Sequence, residues 1–210
     1  MLNEAKPRWT RRKDARPQEL LSAALALFVE HGFAATRLDE VARRAGVSKG
    51  TLYLYFENKE ELFKAVIRAT IVPNIEQSEQ LMSSFKGSTA ELFREVIGRW
   101  CEQINTANMA GICKLMFAEA SNFPELAQFY HTEVIARNEQ MLIKLLQRGV
   151  DEGEFRELDL TVMPKIITAP IVMFMLWCKS FNACESHPVV FADYVDSYLS
   201  TMLTGLMKNK

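Results

Sequence analysis

In this chain of 210 residues the side chains best suited to chemistry come as one run: Lys49, Gly50, Thr51, Tyr53, Leu54 and Tyr55 follow Ser48, with Lys59 just beyond. The run offers a cation, hydroxyl donors and acceptors, aromatic faces and a glycine with no side chain to obstruct approach. Between Ser48 and Phe56 there is no carboxylate or histidine to act as a base. That chemistry suits recognition rather than bond making, and hydrogen-bonding and apolar groups on a short helix are what reads base edges in a major groove. Elsewhere the means for catalysis are thin. The histidines are His31, His131 and His187, with no Ser/His/Asp set, paired-metal spacing or glycine-rich phosphate loop around them. No catalytic residue, metal site or cofactor is therefore expected, and the chain is read as a non-enzyme.

The run needs a frame. Leu38, Val41, Ala42 and Ala45 recur at i, i+3, i+4 and i+7, which predicts a short amphipathic helix. Thr36 with Asp39 three residues on is expected to cap its start, and Gly46 to supply the left-handed residue that ends it. Ser48 is a good cap for a second helix, on which Leu52 and Phe56 make a narrow buried edge. At 100° per residue, Gly50 and Leu54 then lie opposite Leu52, flanked by Thr51 and Tyr53. Two short helices around a tight turn, the second mostly turned outward, is helix-turn-helix geometry.

The run AGVSKGTLYLYFENKEELF, Ala45 to Phe63, preceded by Gly32-Phe33 and Thr36, resembles the DNA-binding signature of TetR/AcrR-family regulators of bacteria and archaea, and the resemblance extends from Pro17 to Val66. The segment FPELAQFYHTEVIARNEQMLIKLLQRGVDEGEFRELD, from Phe123, further resembles the effector domains of one subgroup. The resemblance implies an all-α protein of about nine helices. A three-helix DNA-binding domain with the helix-turn-helix comes first, and a helical domain for ligand binding and dimerisation follows. It also implies a homodimeric repressor released from a palindromic operator by a small hydrophobic ligand; a regulator without an effector, or an activator, is the alternative. On duplex DNA, Thr36, Tyr55, Lys59 and the arginines Arg37, Arg43 and Arg44 would hold phosphates. Relatives use the lysine equivalent to Lys59 in this way. Lys49, Gly50, Thr51, Tyr53 and Leu54 would face base edges. Leu54 departs from the polar or aromatic residue common at its place in relatives and suits a thymine methyl.

Charge is distributed as this reading requires. The chain carries −1 overall, but residues 1–70 carry net +4 and residues 71–210 net −5. Residues 1–13 read as a flexible basic arm, 14–60 as the DNA-binding domain and 61–210 as the effector and dimerisation domain. In the second of these, Asp14 should cap a helix whose stripe is Leu21, Ala24, Leu25 and Phe28 and which ends at Gly32, with His31 serving the helix dipole. Asn58 and Glu61 predict a capping box for a helix that leads out of the domain and is broken near Pro73. The remainder has helical periodicity throughout, over Thr89–Thr106, Met109–Ala120 and a long helix opened by Pro124 that ends near Gly149 or Gly153.

The longest apolar run, Ile166 to Cys178, contains Pro170 and is too short to span a bilayer, so a cytoplasmic protein without a membrane segment is expected. Cys101, Cys113, Cys178 and Cys184 lack metal-ligand spacing and read as small core hydrophobes, with a redox-sensing pair as the alternative. Leu160 to Phe181 is apolar on nearly all sides, and Val190 to Leu206 carries a second wide stripe. The excess over what one domain can hide predicts a four-helix interface between two copies. Trp100, Met116, Phe117, Phe123, Met173, Phe174 and Trp177 are the candidates for an apolar effector pocket. Glu119 is read as facing solvent.

Overall fold

The computed structural model describes residues 16–208. The basic arm and the Asp14 cap lie outside the described residues. Two compact units divide the chain, one ending at Val66 and the other beginning at Ile67.

The first unit starts with α1 (Arg16–Ala35), in which Gly32 takes φ 83° and ψ 167°; regular helix breaks there and Phe33 to Ala35 form a further turn. Only glycine adopts that conformation without cost. Next come α2 (Leu38–Arg44), α3 (Lys49–Tyr53) and α4 (Lys59–Thr70), the last running past the boundary. The core is built on Phe28, Phe33 and Phe63, whose ring centroids lie 5.3 to 5.6 Å apart. Leu20, Val41, Leu52 and Leu62 are fully buried around them. Such aromatic pairs add about 0.5–1.5 kcal/mol each beyond the area they bury.

In the second unit the rods are α5 (Val72–Ser84), α6 (Thr89–Ile104), α7 (Ala107–Glu119), α8 (Pro124–Tyr130), α9 (Ala136–Asp151), α10 (Met163–Ser180) and α11 (Phe191–Leu206). Pro73 sits in the first turn of α5, which separates it from α4 at Ile71. Between α8 and α9 runs one π turn, His131–Ile135, where the Ala136 N–H reaches the His131 carbonyl. Because α4 continues into α5 and α8 into α9, the eleven α-helical segments of the described residues make nine rods. Phe155 and Met207 form an isolated bridge, and no strand occurs among the described residues.

One core joins α6, α9, α10 and α11 through Phe93, Leu145, Leu146, Ile167, Ile171, Met175, Leu199 and Leu203. Helix α9 ends at Asp151 with Gly153 in the left-handed region; Gly149 lies inside the helix, and the Phe155 ring packs so closely on it that a Cβ there would come within 2.2 Å of the ring. The N-terminus of α6 is held twice. Ser88 and Glu91 form a capping box, and the Glu154 carboxylate accepts from the amides of Thr89 and Ala90 at 2.9 and 3.0 Å. Pro170 lies inside α10, and α11 answers from outside: the Tyr198 hydroxyl donates to the Ile167 carbonyl at 2.6 Å and that of Tyr194 to the Pro170 carbonyl at 3.4 Å.

The apolar stripe of α11 is thereby used internally, with Val195, Tyr198, Leu199, Leu203 and Leu206 all buried. Its outward face is small and polar, from Ala192 through Asp196, Ser200 and Thr204. Exposed apolar residues therefore lie mainly on α10, at Ile166, Met173 and Trp177 with Phe181 just after it, whereas at α11 they lie only at its ends, at Val189, Val190 and Met207. No helix among the described residues is long and apolar enough to cross a membrane.

Candidate nucleic-acid interface and apolar cavity

Helix α3 is held by one side chain and presents the others. Leu52 is fully buried, while Tyr53, Leu54 and Tyr55 are 46%, 83% and 41% exposed. Ser48 caps the helix through its Oγ, which accepts from the Thr51 amide at 3.1 Å and also pairs with the Thr51 hydroxyl at 2.8 Å. Lys49 Nζ lies 5.9 Å from the centroid of the Tyr53 ring, an edge of cation–π range that holds the two side chains on one surface. A Cβ built on Gly50 would meet only Ser48 Oγ, at 3.8 Å. Packing within the unit therefore does not demand glycine there. What its bare backbone permits is close approach by something outside. The exposed set is Lys49, Gly50, Tyr53, Leu54 and Tyr55; Thr51 is half-buried and committed to Ser48.

Several expected phosphate groups are otherwise engaged. Thr36 does not cap α2: the cap position is Arg37, without a side-chain bond. Thr36 is 2% exposed, and its hydroxyl serves the carbonyls of Gly32 at 2.7 Å and Leu27 at 3.2 Å, tying off the broken end of α1. Lys59 Nζ donates to the carbonyls of Phe33 and Ala34 at 2.7 and 2.9 Å and lies 4.6 Å from the Phe33 ring centroid. It fastens the same corner. Arg44 forks onto the Glu30 carboxylate at 2.6 and 2.7 Å, which holds that carboxyl below its usual range. Arg37 pairs with Asp39 and Arg43 with Glu40. Of the expected capping box on α4, the structure has one half: Asn58 Oδ1 accepts from the Glu61 amide at 2.8 Å, while the Glu61 carboxylate binds Lys64.

A cavity of about 630 Å³ lies in the second unit. Trp100, Phe117 and Met173 line it. The other four expected residues do not. Met116 is buried, and Phe174 stacks on Tyr194 at 3.8 Å between α10 and α11. Trp177 turns its Nε1 to Glu185 and packs on Phe181, and Phe123 stands at the cap of α8. The reason is angular: Met116 and Phe174 each adjoin a true lining residue in sequence, and one helical position is a 100° turn. Glu119 is half-buried, accepts from Asn122 and does not line the cavity.

The walls are mostly aliphatic, with Ile71, Ile75, Val134, Leu142 and Leu176 among them. Polar groups interrupt them at Asn74, Ser78, Gln103 and Asn138, and a Lys165–Glu139 ion pair of 3.0 Å belongs to the lining. Cys113 and Tyr130 also line it, their Sγ and hydroxyl 3.7 Å apart, and burial raises the pKa of both. Cys101 is pushed up to about 12 by burial, which keeps its thiol protonated and inert.

Residues 20–66 match the family described as bacterial regulatory proteins, tetR family, and residues 86–180 match the tetracyclin repressor-like C-terminal domain; together these cover more than half of the chain. The chain belongs to the TetR family of transcriptional regulators. Among relatives of this TetR-family regulator, the HTH-type transcriptional repressor KstR2 of Mycolicibacterium smegmatis is 24% identical over 199 residues, spanning 93% of each chain. The fatty acid metabolism regulator protein of Bacillus subtilis is 27% identical over 162 residues, 76% of this chain and 82% of its own. The structure of the transcriptional regulator FadR from Bacillus subtilis in complex with stearoyl-CoA shares the fold, with a TM-score of 0.71 at 22% identity, over 90% of this chain and 98% of that one.

Sequence reasoning passed over most of the regulator's cavity residues, apolar ones such as Ile71, Ile75, Val134 and Leu142 as well as the polar ones. Asn74 and Ser78 had a signal: with Ile71 and Ile75 they make an i, i+3, i+4, i+7 stripe in which two of four positions are polar. Asn138 had none, because its place depends on the π turn.

Proposed function

We propose that this TetR-family regulator is a homodimeric repressor that leaves a two-fold symmetric operator when a small, largely hydrophobic ligand fills the cavity of its second unit. The observation that carries the ligand half is the cavity itself. Its volume is within the range that holds small molecules, and its walls are mainly apolar. A regulator without an effector would have a solidly packed second unit, so the cavity counts against that alternative. Relatives named for steroid and fatty acid control, one of them solved with stearoyl-CoA, point to a lipid-like ligand.

On the DNA side, Lys49, Gly50, Tyr53 and Leu54 face the bases, and Tyr55 with Arg37 supports the backbone. Thr36 and Lys59 act from behind by fixing the corner that sets α3. Two copies meet through the exposed apolar face of α10 and the small-residue face of α11, which allows close approach of four helices. Pairing is required by reach, since two reading helices must enter major grooves about 34–36 Å apart. Functionally, 1–13 is the arm, 14–60 the reading domain and 61–210 the effector and pairing domain. Turning a 1:99 balance of bound and released conformations to 99:1 takes about 5.5 kcal/mol of differential affinity, within reach of one well-filled apolar site.

The test is selection of genomic fragments by purified protein, with light scattering for mass and salt titration of the best fragment. A dimer whose affinity falls steeply with salt, and which releases the fragment on addition of stearoyl-CoA or a free fatty acid, is the expected result. A monomer with no salt-sensitive preference for any fragment ends the proposal.

A further inference from the structure

Two irregularities in the helices border the cavity, and each is stitched by an asparagine. At the α4–α5 break the Asn74 backbone amide turns to the Ile71 carbonyl, leaving the Thr70 carbonyl that a regular helix would have given it. The Asn74 side chain takes over, with Nδ2 donating to Thr70 O at 3.3 Å. After the π turn, Asn138 Nδ2 donates to the Val134 carbonyl at 2.9 Å in the same i to i−4 relation. Both side chains line the cavity.

These bonds fix which end of each amide faces which way. The NH₂ groups are spent on the helix, so the amide oxygens are the ends left over. No described residue donates to either oxygen. Among the described residues no fully buried side-chain oxygen lacks a partner, so both oxygens keep accessible surface, on residues that line the cavity. Gln103, from α6, adds a third carboxamide with no hydrogen bond to the described residues. A purely hydrocarbon ligand would cover these acceptors and strand them, which opposes its binding.

We propose that the cavity selects a lipid-like molecule that carries hydrogen-bond donors, hydroxyl or amide N–H, within its length, and that Asn74 and Asn138 are the residues that read them. The inference deepens the ligand half of the proposed function and rests on it. One donor chemistry has two sources: a hydroxylated hydrocarbon, or a thioester whose pantetheine arm supplies amide N–H groups.

Calorimetric titration of the full chain without DNA separates these, using stearate, 12-hydroxystearate and S-stearoyl-pantetheine. The expected result is that one or both donor-bearing probes bind at least about tenfold more tightly than stearate, the gain of a hydrogen bond made against an acceptor otherwise stranded. The hydroxy acid alone identifies a hydroxylated lipid, and the thioester alone a carrier-linked acyl group. Asn74→Leu or Asn138→Leu should then bring the preferred probe down to the level of stearate while stearate holds or improves. Equal affinity for all three probes, or binding by none, overturns the proposal, as does a variant that weakens stearate and the donor-bearing probe alike. The probe series on the unaltered chain decides the matter even if both variants fail to fold. Tight, donor-dependent binding that leaves fragment affinity unchanged would keep this inference and remove ligand-released repression.

Discussion

In α3, five residues supply both the hold and the surface: Leu52 is fully buried, while its neighbour Tyr53 is 46% exposed and Leu54, beyond, 83%. The cavity is built the other way, with walls contributed by α5, α6, α7, the end of α8, the π turn, α9 and α10. The first arrangement is local, so a single residue can be removed without disturbing the rest. The second is distributed, and many of its side chains, Val96, Ile97, Ile104, Met141 and Leu142 among them, also belong to the core. That difference predicts that variants of the reading helix will separate function from stability, whereas variants of the cavity will separate them only where volume is added rather than taken away.

The largest effect should come from Tyr53→Ala. Its ring is exposed and its backbone is held by Leu52, so thermal unfolding should be unchanged while affinity for the selected fragment falls about 10- to 100-fold, the worth of a lost base contact. Binding of the cavity ligand should stay as it was. An unchanged footprint would take Tyr53 out of the reading set and weaken the claim that function in α3 is local.

Val172→Trp is the counterpart. Val172 is half-buried on α10 and lines the cavity, so the larger ring can extend into empty space instead of into packed neighbours. Ligand affinity by calorimetry should fall about tenfold or more, with fragment affinity and unfolding temperature close to those of the unaltered chain. Loss of fragment binding as well would show that the cavity wall and the reading helix are not separable.

The same contrast explains what could be read from the chain alone. The fold class and the helix-turn-helix rest on short-range signals: the stripe Leu38–Val41–Ala42–Ala45, the Ser48 cap and the left-handed Gly46 all lie within a dozen residues of each other. The cavity members Trp100, Phe117 and Met173 were found because bulky apolar residues are natural pocket walls. Met116 and Phe174 were misplaced because both faces of α7 and α10 are apolar, and a pattern without polar contrast does not reveal which side is empty. The inward hydrogen bonds of Thr36 and Lys59 were hidden for a related reason. Their partners are backbone carbonyls exposed by the Gly32 break, and carbonyl orphans leave no trace in residue types. The π turn, which brings Tyr130, Val134 and Asn138 to the cavity, had no sequence signal either.

Lys59 offers the smallest effect and the sharpest distinction between the two kinds of site. If it is a phosphate contact, as the resemblance implies, Lys59→Met should weaken every DNA sequence alike and lower the salt slope by about one, with folding untouched. If it is a clasp on the Phe33 and Ala34 carbonyls, the first unit should lose about 1 kcal/mol of stability, the net value of hydrogen bonds to a half-exposed cation, and the salt slope should stay. The geometry favours the clasp, because the ammonium makes bonds of 2.7 and 2.9 Å to carbonyls at the broken end of α1. Urea unfolding of the isolated effect is direct: a lower midpoint at unchanged slope marks the clasp. A salt slope reduced by one with an unmoved midpoint would return Lys59 to the DNA surface.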